Sequence, residues 1–150
     1  LPMTPHLDWD EMRIMIDSGL VSIQNHTYDM HMYAPYETGA VRENALRLEG
    51  ESEKEYKTAL IEDYNHNVRL IKENLGCDAP VFAYPNGKYD DLSEKIIRSL
   101  GARVTLTTDV GMNTLREWDR TTLYLMKRYT INQTTDIKTL QSYLDGVIPK

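Results

Sequence analysis

Residues 20–31 read LVSIQNHTYDMH, an apolar run that leads directly into two histidines, His26 and His31, five residues apart. On a helix of about 3.6 residues per turn the imidazoles would lie about 140° apart, and on a strand they would face opposite sides. They can converge only where a strand ends and the chain turns, which is where α/β proteins bind ligands. Since histidine is a common metal ligand, the stretch predicts a metal site that lacks at least one ligand. Two unrelated loop histidines are the alternative.

The composition is that of one globular domain. The chain has 150 residues, of which 41% are hydrophobic and 27% are charged, and it is long enough to bury a core. Its net charge of −6 argues against nucleic acid or an anionic membrane as the main partner, because both require a basic surface. No apolar stretch reaches the length of a membrane span. The single cysteine, Cys77, excludes an internal disulfide and a cysteine-based zinc site.

Apolar spacing and capping residues predict four helices that alternate with four short strands. The helices are expected at about 8–18, 52–75, 91–100 and 135–145, and the strands at about 20–24, 80–84, 102–107 and 127–131. In the last helix, Ile137, Leu140 and Leu144 are expected to point inward. Such alternation predicts an α/β fold of parallel units, as an open sheet or a barrel. Four strands are few for a closed barrel, so we expect part of the fold to be absent.

Three segments that follow predicted strands are expected to meet at one edge of the sheet. The first carries His26 and His31, the second is YPNG at residues 84–87, and the third is TTD at residues 107–109. The carboxyl ends of parallel strands lie together, so the topology alone brings these segments close. This convergence strengthens the interpretation of the histidine pair as part of a site.

Two motifs resemble those of a known family. The segment SIQNHTYDMH at residues 22–31 resembles the His-Thr/Ser…His motif of the polysaccharide deacetylases, carbohydrate esterases with a nodulation-protein-type fold. The segment FAYPNGKY at residues 82–89 resembles their later Pro-x-Gly motif. The five-residue histidine spacing resembles the branch that deacetylates exported poly-N-acetylglucosamine. The resemblance covers about residues 4–131 and implies a partial, distorted (β/α) barrel that lacks its N-terminal strands, as a single catalytic domain over residues 1–150.

The resemblance implies a metal-dependent N-deacetylase that acts outside the cytoplasm on polymers containing N-acetylglucosamine. In such enzymes one Asp and two His hold a divalent metal, for which zinc is expected and nickel, cobalt, iron and manganese are alternatives. A second Asp is the base that activates water, a backbone N–H stabilises the oxyanion, and a His protonates the leaving amine. This scheme agrees with what metals and fixed donors contribute to amide hydrolysis. The expected partner is a polysaccharide substrate.

The family roles carry over to particular positions of this chain. His26 and His31 match the metal ligands. Asn86 would offer the backbone oxyanion donor, held in place by Pro85 and Gly87. The other candidates are Arg128, which would orient a carboxylate, and the substrate-binding residues Tyr84, Tyr89, Tyr28 and Asp109. Tyr33 and Tyr36 could also stack on sugar rings, or they could simply pack within their own loop.

Two expected motifs are missing. No Asp-Asp strand precedes His26, since Asp8 and Asp10 belong to a helix start, and no Leu-x-His motif follows. We therefore expect the chain to be an N-terminally truncated domain that is inactive alone. Its exposed sheet edge beside residues 20–24 could then support self-association.

Several other residues are assigned ordinary structural roles. Asp29 is expected to form a turn, although it could be a third ligand. His6 and His66 are expected to be solvated, and the carboxylates of the long helix to form a solvated face.

Two alternative functions remain open at this stage. The chain could be a non-catalytic glycan-binding module of the same fold that has lost its catalytic aspartates. It could also be a metal-dependent hydrolase of a different, small amide.

Overall fold

The computed structural model describes residues 6–32 and 41–146. In chain order the elements are α1 (Trp9–Asp17), α2 (Glu53–Leu75), β1 (Val81–Ala83), α3 (Asp91–Ser99), β2 (Val104–Leu106) and α4 (Ile137–Leu144), with short 3-10 turns at Pro85–Gly87 and Arg120–Leu123. From α2 to α4 the helices and parallel strands alternate as predicted, whereas among the described residues between α1 and α2 only the bridge at Asn25 joins the sheet. Tyr33 and Tyr36, two of the candidate sugar-stacking residues, lie outside the described residues.

Side-chain caps start the helices at the predicted positions. Asp8 and Glu11 form a reciprocal capping box at α1, and Ser52 and Glu55 form another at α2. Each box provides partners for N–H groups that the first turn of a helix leaves unsatisfied. Helix α2 ends at Gly76, whose φ of 70° is the left-handed conformation favoured at helix ends.

The sheet is built on the parallel pairing of β1 with β2, in which Val81 lies opposite Val104. A single bridge extends it on each side. Asn25 pairs in parallel with Phe82 of β1, and Met126 pairs in parallel with Leu106 of β2. The order across the sheet is therefore Asn25, β1, β2 and Met126, which places successive segments of the chain side by side.

The predicted first strand, residues 20–24, is wrong. The chain pairs with β1 at Asn25 alone, and the side chain of Leu20 is 90% exposed. If the strand continued, one of its main-chain carbonyls would accept from the Val81 N–H. Oε1 of Gln24 accepts from this N–H instead, at 3.0 Å. A side-chain amide thus replaces the next main-chain bond of the ladder, and the pairing stops there.

The predicted fourth strand, residues 127–131, is also wrong. Pairing with β2 occurs one residue earlier, at Met126. Beyond it, the Asn113 side chain accepts from the Lys127 N–H at 2.9 Å and donates to the Lys127 carbonyl at 2.8 Å. The Arg128 N–H then donates to the Asp109 carbonyl at 2.9 Å. The chain therefore turns toward the loop after β2 and leaves the sheet.

The core lies between the sheet and helices α2 and α3. Its fully buried side chains are aromatic and aliphatic residues of these elements: Tyr56, Leu60, Phe82, Tyr84 and Ile97. A polar network runs through the core, because Glu94 accepts from the Tyr84 hydroxyl at 2.7 Å and from the Thr105 hydroxyl at 3.1 Å. Burial and the Glu94 carboxylate raise the pKa of Tyr84, so its hydroxyl remains a donor. The network joins β1, α3 and β2.

The apolar residues of α4 do not point inward as predicted. Ile137 is 86% exposed, and Leu140 and Leu144 are exposed as well. Helix α4 has a well-separated apolar stripe in sequence, but no residue of this helix is buried against the described part of the chain. Within residues 6–32 and 41–146, no helix combines the length and apolar character needed to cross a bilayer.

We predict that Tyr84→Phe lowers the free energy of unfolding by about 1–3 kcal/mol, because it removes a donor from a buried carboxylate while preserving the ring. Urea denaturation followed by circular dichroism measures the change. Tyr28→Phe is the matched control, since the Tyr28 side chain is 56% exposed and the same deletion should cost less than about 0.5 kcal/mol there. Equal stability losses in the two variants would contradict a structural role for the Tyr84–Glu94 bond.

Candidate metal centre

The two histidines converge where the chain leaves the sheet after the bridge at Asn25. His26 directly follows Asn25, the residue that pairs with β1, and the chain then turns through Thr27, whose φ of 72° is left-handed. The imidazole centroids of His26 and His31 lie 5.1 Å apart, with the rings nearly perpendicular. The structure therefore agrees with the prediction that a turn brings the pair together.

Main-chain carbonyls fix the orientation of both rings. Nδ1 of His26 lies 2.7 Å from the Ala83 carbonyl, and Nδ1 of His31 lies 3.1 Å from the Glu43 carbonyl. A carbonyl only accepts, so the proton of each neutral ring is on Nδ1 and the lone pair is on Nε2. This is the arrangement by which metal-binding histidines are usually held.

The surroundings of His26 favour its neutral form. Desolvation of the ring is the main effect that lowers its pKa, the hydrogen bond to Ala83 opposes it, and the charges of His31 and Arg128 lower the pKa further. A metal ligand must be unprotonated, so a lowered pKa keeps His26 available for coordination at neutral pH.

The donor set fits two of the positions of a divalent metal site. Two Nε2 atoms on converging, carbonyl-anchored rings suit zinc or another first-row metal. Within the described ranges, no group of three or more His, Cys, Asp and Glu side chains is arranged to hold a metal ion. Asp29, the alternative third ligand, is exposed, and its N–H is bound by Asp63, as in a residue that forms a turn.

Helix α2 provides a further residue at the histidine loop. Asp63 was expected on a solvated face, but its side chain is only 8% exposed, and its two oxygens accept the N–H groups of Tyr28 and Asp29 at 2.9 and 2.6 Å. Burial raises the pKa of Asp63, and the two N–H donors oppose that rise. Its position was the available signal, because Asp63 lies seven residues after Tyr56 and three after Leu60 on the apolar stripe.

The turn Pro85–Gly87 lies beside the histidine loop. Asn86 adopts a left-handed φ of 53°, and its side-chain amide donates to the Glu43 carbonyl at 3.0 Å. The same carbonyl accepts from His31. One main-chain oxygen therefore connects the two motifs.

Gly87 is required for the contact between this turn and the loop after β2. Its φ is 65°, and a Cβ built at this position would lie 2.0 Å from Thr108 Oγ1 and 2.6 Å from the Thr108 nitrogen. Thr108 also donates from its hydroxyl to the Asn86 carbonyl at 3.4 Å. The absent side chain lets the second and third strand ends pack together, as the topology predicted.

Arg128 and Asp109 lie at the same edge of the sheet. The Arg128 N–H donates to the Asp109 carbonyl, and the charge of Arg128 contributes to the lowered pKa of His26. Both side chains are exposed. The three predicted segments therefore lie at one edge of the sheet, and the segment that contains Arg128 lies beside them.

The candidate substrate-binding tyrosines differ in exposure. Tyr84 is fully buried, which corrects the expectation that it contacts substrate; its ring packs against Phe82 and Tyr89. Tyr89 is half-buried on the outer side of Tyr84. Tyr28 is exposed, and its ring lies 4.1 Å from that of His66. His66 is therefore half-buried against Tyr28, contrary to the expectation that it is solvated.

Residues 3–105 match the family described as polysaccharide deacetylase, and the match includes the histidine loop and the Pro85–Gly87 turn. The chain belongs to the polysaccharide deacetylase family. The resemblance drawn from the two motifs is thereby confirmed. A comparison with curated proteins finds no match.

Solved structures share the fold of this polysaccharide deacetylase chain. A de-N-acetylase from Aggregatibacter actinomycetemcomitans is 24% identical with a TM-score of 0.69, over 91% of this chain and 53% of that chain. IcaB from Ammonifex degensii is 22% identical with a TM-score of 0.67, over 90% and 52%. The Streptococcus pyogenes deacetylase PplD, in complex with acetate, is 21% identical with a TM-score of 0.66, over 99% and 54%.

These likenesses confirm the predicted fold class, a partial, distorted (β/α) barrel of the polysaccharide deacetylase type. The chain spans about half the length of the three relatives.

We predict that Gly87→Ala destabilises the chain by about 1–3 kcal/mol more than Gly76→Ala, because the new methyl group overpacks the Thr108 main chain. Gly76 is the matched control: its φ of 70° is equally left-handed, but a Cβ there meets no atom within 4 Å. Chemical denaturation gives the loss of unfolding free energy in each variant. The difference between the two losses is the effect of the close contact with Thr108, because the cost of a left-handed φ is common to both. Equal destabilisation would show that the Gly87–Thr108 contact is not tight in solution.

Proposed function

We propose that this chain carries the metal-binding part of a polysaccharide N-deacetylase, an enzyme that hydrolyses the acetamide C–N bond of N-acetylglucosamine units. The observation that carries the proposal is the pair His26 and His31, whose rings are 5.1 Å apart and anchored through Nδ1 at the edge of the sheet in a polysaccharide deacetylase chain. The substrate class rests on the family and on the five-residue histidine spacing. Because such polymers are exported, the proposal also places the protein outside the cytoplasm.

His26 and His31 would hold one divalent metal through Nε2, with zinc as the expected ion and nickel, cobalt, iron or manganese as alternatives. When bound, such an ion polarises the acetyl carbonyl and lowers the pKa of a coordinated water. The protein's own contribution is orientation, because each ring is held by a carbonyl before any ion binds. The lowered pKa of His26 favours the neutral imidazole, which is the form that coordinates a metal ion.

The turn after β1 is the proposed oxyanion site. The main-chain N–H of Asn86 would donate to the oxygen that gains negative charge, and fixed donors of this kind are worth about 10²–10³ in rate. Pro85 fixes one backbone angle, and Gly87 permits the left-handed turn against Thr108. The amide of Asn86 connects the turn to His31 through the Glu43 carbonyl.

The remaining candidates lie around this centre. Arg128, close enough to affect the pKa of His26, is proposed to orient a carboxylate at the site. Tyr28, Tyr89 and Asp109 are proposed to face the glycan, and the exposed Tyr28 ring is suited to stacking on a sugar. Tyr84 is fully buried and cannot contact the glycan.

We predict that a His26→Ala, His31→Ala double variant weakens zinc binding by about 100-fold or more, because losing ligands should cost at least as much as losing their supporting partners. Isothermal titration of zinc into each protein measures the effect. His66→Ala is the control, since His66 lies against Tyr28 and is expected to leave zinc affinity unchanged. Equal affinity of the double variant and the wild type would refute the metal site.

We also predict that the 150-residue chain releases acetate from N-acetylglucosamine oligomers at a negligible rate, even with added zinc. The family scheme requires a base and an acid, and removing one such role typically costs about 10²–10⁴ in rate. A version extended upstream by an Asp-Asp strand should be active in the same acetate assay. If the 150-residue chain released acetate as fast as an active extended version, Asp29 or Asp109 would supply the missing role.

A second candidate, a non-catalytic glycan-binding module, is favoured by the exposed Tyr28 ring within the histidine loop. The same oligomers distinguish it, because the module would bind them while the extended version released no acetate. Activity on small amides in place of oligomers would favour the third possibility, a different amide hydrolase.

A further inference from the structure

The loop between the two histidines is attached to α2 by two side chains one helical turn apart. Asp63 accepts the N–H groups of Tyr28 and Asp29 at 2.9 and 2.6 Å. Asn67 donates from Nδ2 to the Asn25 side-chain oxygen at 2.8 Å and to the Thr27 carbonyl at 3.1 Å. Of residues 25–29, every one except His26 therefore has its backbone or side chain hydrogen-bonded to α2.

The attachment holds a backbone that the loop would not adopt readily by itself. Thr27 has a φ of 72°, and a left-handed conformation is uncommon for a β-branched residue. The Asn25 side-chain oxygen also accepts from the Thr27 N–H at 2.9 Å, so Asn25 connects the strained residue to Asn67. Asn25 is fully buried and Asp63 is 8% exposed, so water competes poorly for these bonds.

Carbonyl anchors alone do not fix the separation of the two rings. They act at the ends of the loop, since Ala83 holds His26 and Glu43 holds His31. Between the two histidines the chain is held by its hydrogen bonds to α2 and by the buried side chain of Met30. The distance between the imidazoles therefore depends on both kinds of contact.

We propose that Asp63 and Asn67 are positioning residues that set the spacing of His26 and His31 for metal binding, while taking no part in coordination themselves. This proposal rests on the proposed function in one respect, the role of His26 and His31 as metal ligands. Both oxygens of Asp63 already accept main-chain N–H groups, which supports a role in positioning. A second α2 residue acting on the same loop makes the arrangement a clamp, defined here as Asp63 and Asn67.

The decisive variant is Asp63→Asn, which keeps the size of the side chain. It places an NH₂ group against one of the two N–H donors and so breaks half of the Asp63 contact. We expect zinc affinity to fall about 10-fold, the lower end of the range for partners behind metal ligands, because Asp63 acts through the backbone. Asn67→Ala should weaken zinc binding in the same direction and decides the question if Asp63→Asn does not fold.

The matched control is Glu62→Gln, which removes the same charge from the neighbouring exposed position of α2. It should leave zinc affinity unchanged, so a fall seen only at Asp63 cannot come from net charge. Thermal unfolding of each variant, followed by circular dichroism, shows that the comparison is made between folded proteins.

The readout is the NMR spectrum of the imidazole groups during a zinc titration of the 150-residue chain. It reports the tautomer of His26 and His31 and their zinc affinity, with the exposed His6 as internal reference. We expect Asp63→Asn to shift the His26 and His31 signals before zinc is added. Wild-type imidazole signals and affinity in folded Asp63→Asn and Asn67→Ala would overturn the proposal.

The two proposals fail in different ways. If the wild type binds no zinc, the proposed metal site is wrong, and the metal-free imidazole signals still test whether the clamp positions the pair. Unchanged signals in the variants would then refute the clamp. If the wild type binds zinc and the variants match it, only the clamp is refuted.

Discussion

The parallel main-chain hydrogen bonds that place Asn25, β1 and β2 side by side are the constraint on which the rest of the structure depends. Parallel pairing makes every chain segment leave the sheet at the same edge. The histidine loop, the Pro85–Gly87 turn and Thr108 meet there for that reason. With antiparallel pairing, alternate segments would leave at opposite ends and the three could not form one site.

Main-chain carbonyls organise the site more than side-chain pairs do. Ala83, the last residue of β1, holds His26, so the edge of the sheet itself orients the first imidazole. Glu43 contributes its carbonyl, which accepts from both His31 and Asn86. Such contacts cost little conformational entropy on the acceptor side, because the backbone is already ordered. The geometry of the pair is therefore tied to the fold and not to flexible surface groups.

Buried polar groups have a related role in the interior. Glu94 joins β1, α3 and β2 through two hydroxyl donors, and Asp63 joins α2 to the histidine loop through two N–H donors. A buried carboxylate is expensive unless its oxygens are satisfied, so each one demands a particular arrangement of the segments around it. In this chain the two carboxylates connect the core to the strand ends where the proposed chemistry takes place.

Local sequence signals determined the helices, the two central strands and the residues that meet at the sheet edge. Capping boxes and apolar stripes act within a few residues, so Ser52 and Glu55 could be recognised as a helix start without any tertiary information. The tertiary structure decided where pairing ends, since the amides of Gln24 and Asn113 replace main-chain partners. It also buried Tyr84 and Asp63. Those outcomes depend on contacts between segments distant in sequence: the apolar stripe of α2 could indicate that Asp63 faces inward, but not which N–H groups it meets there.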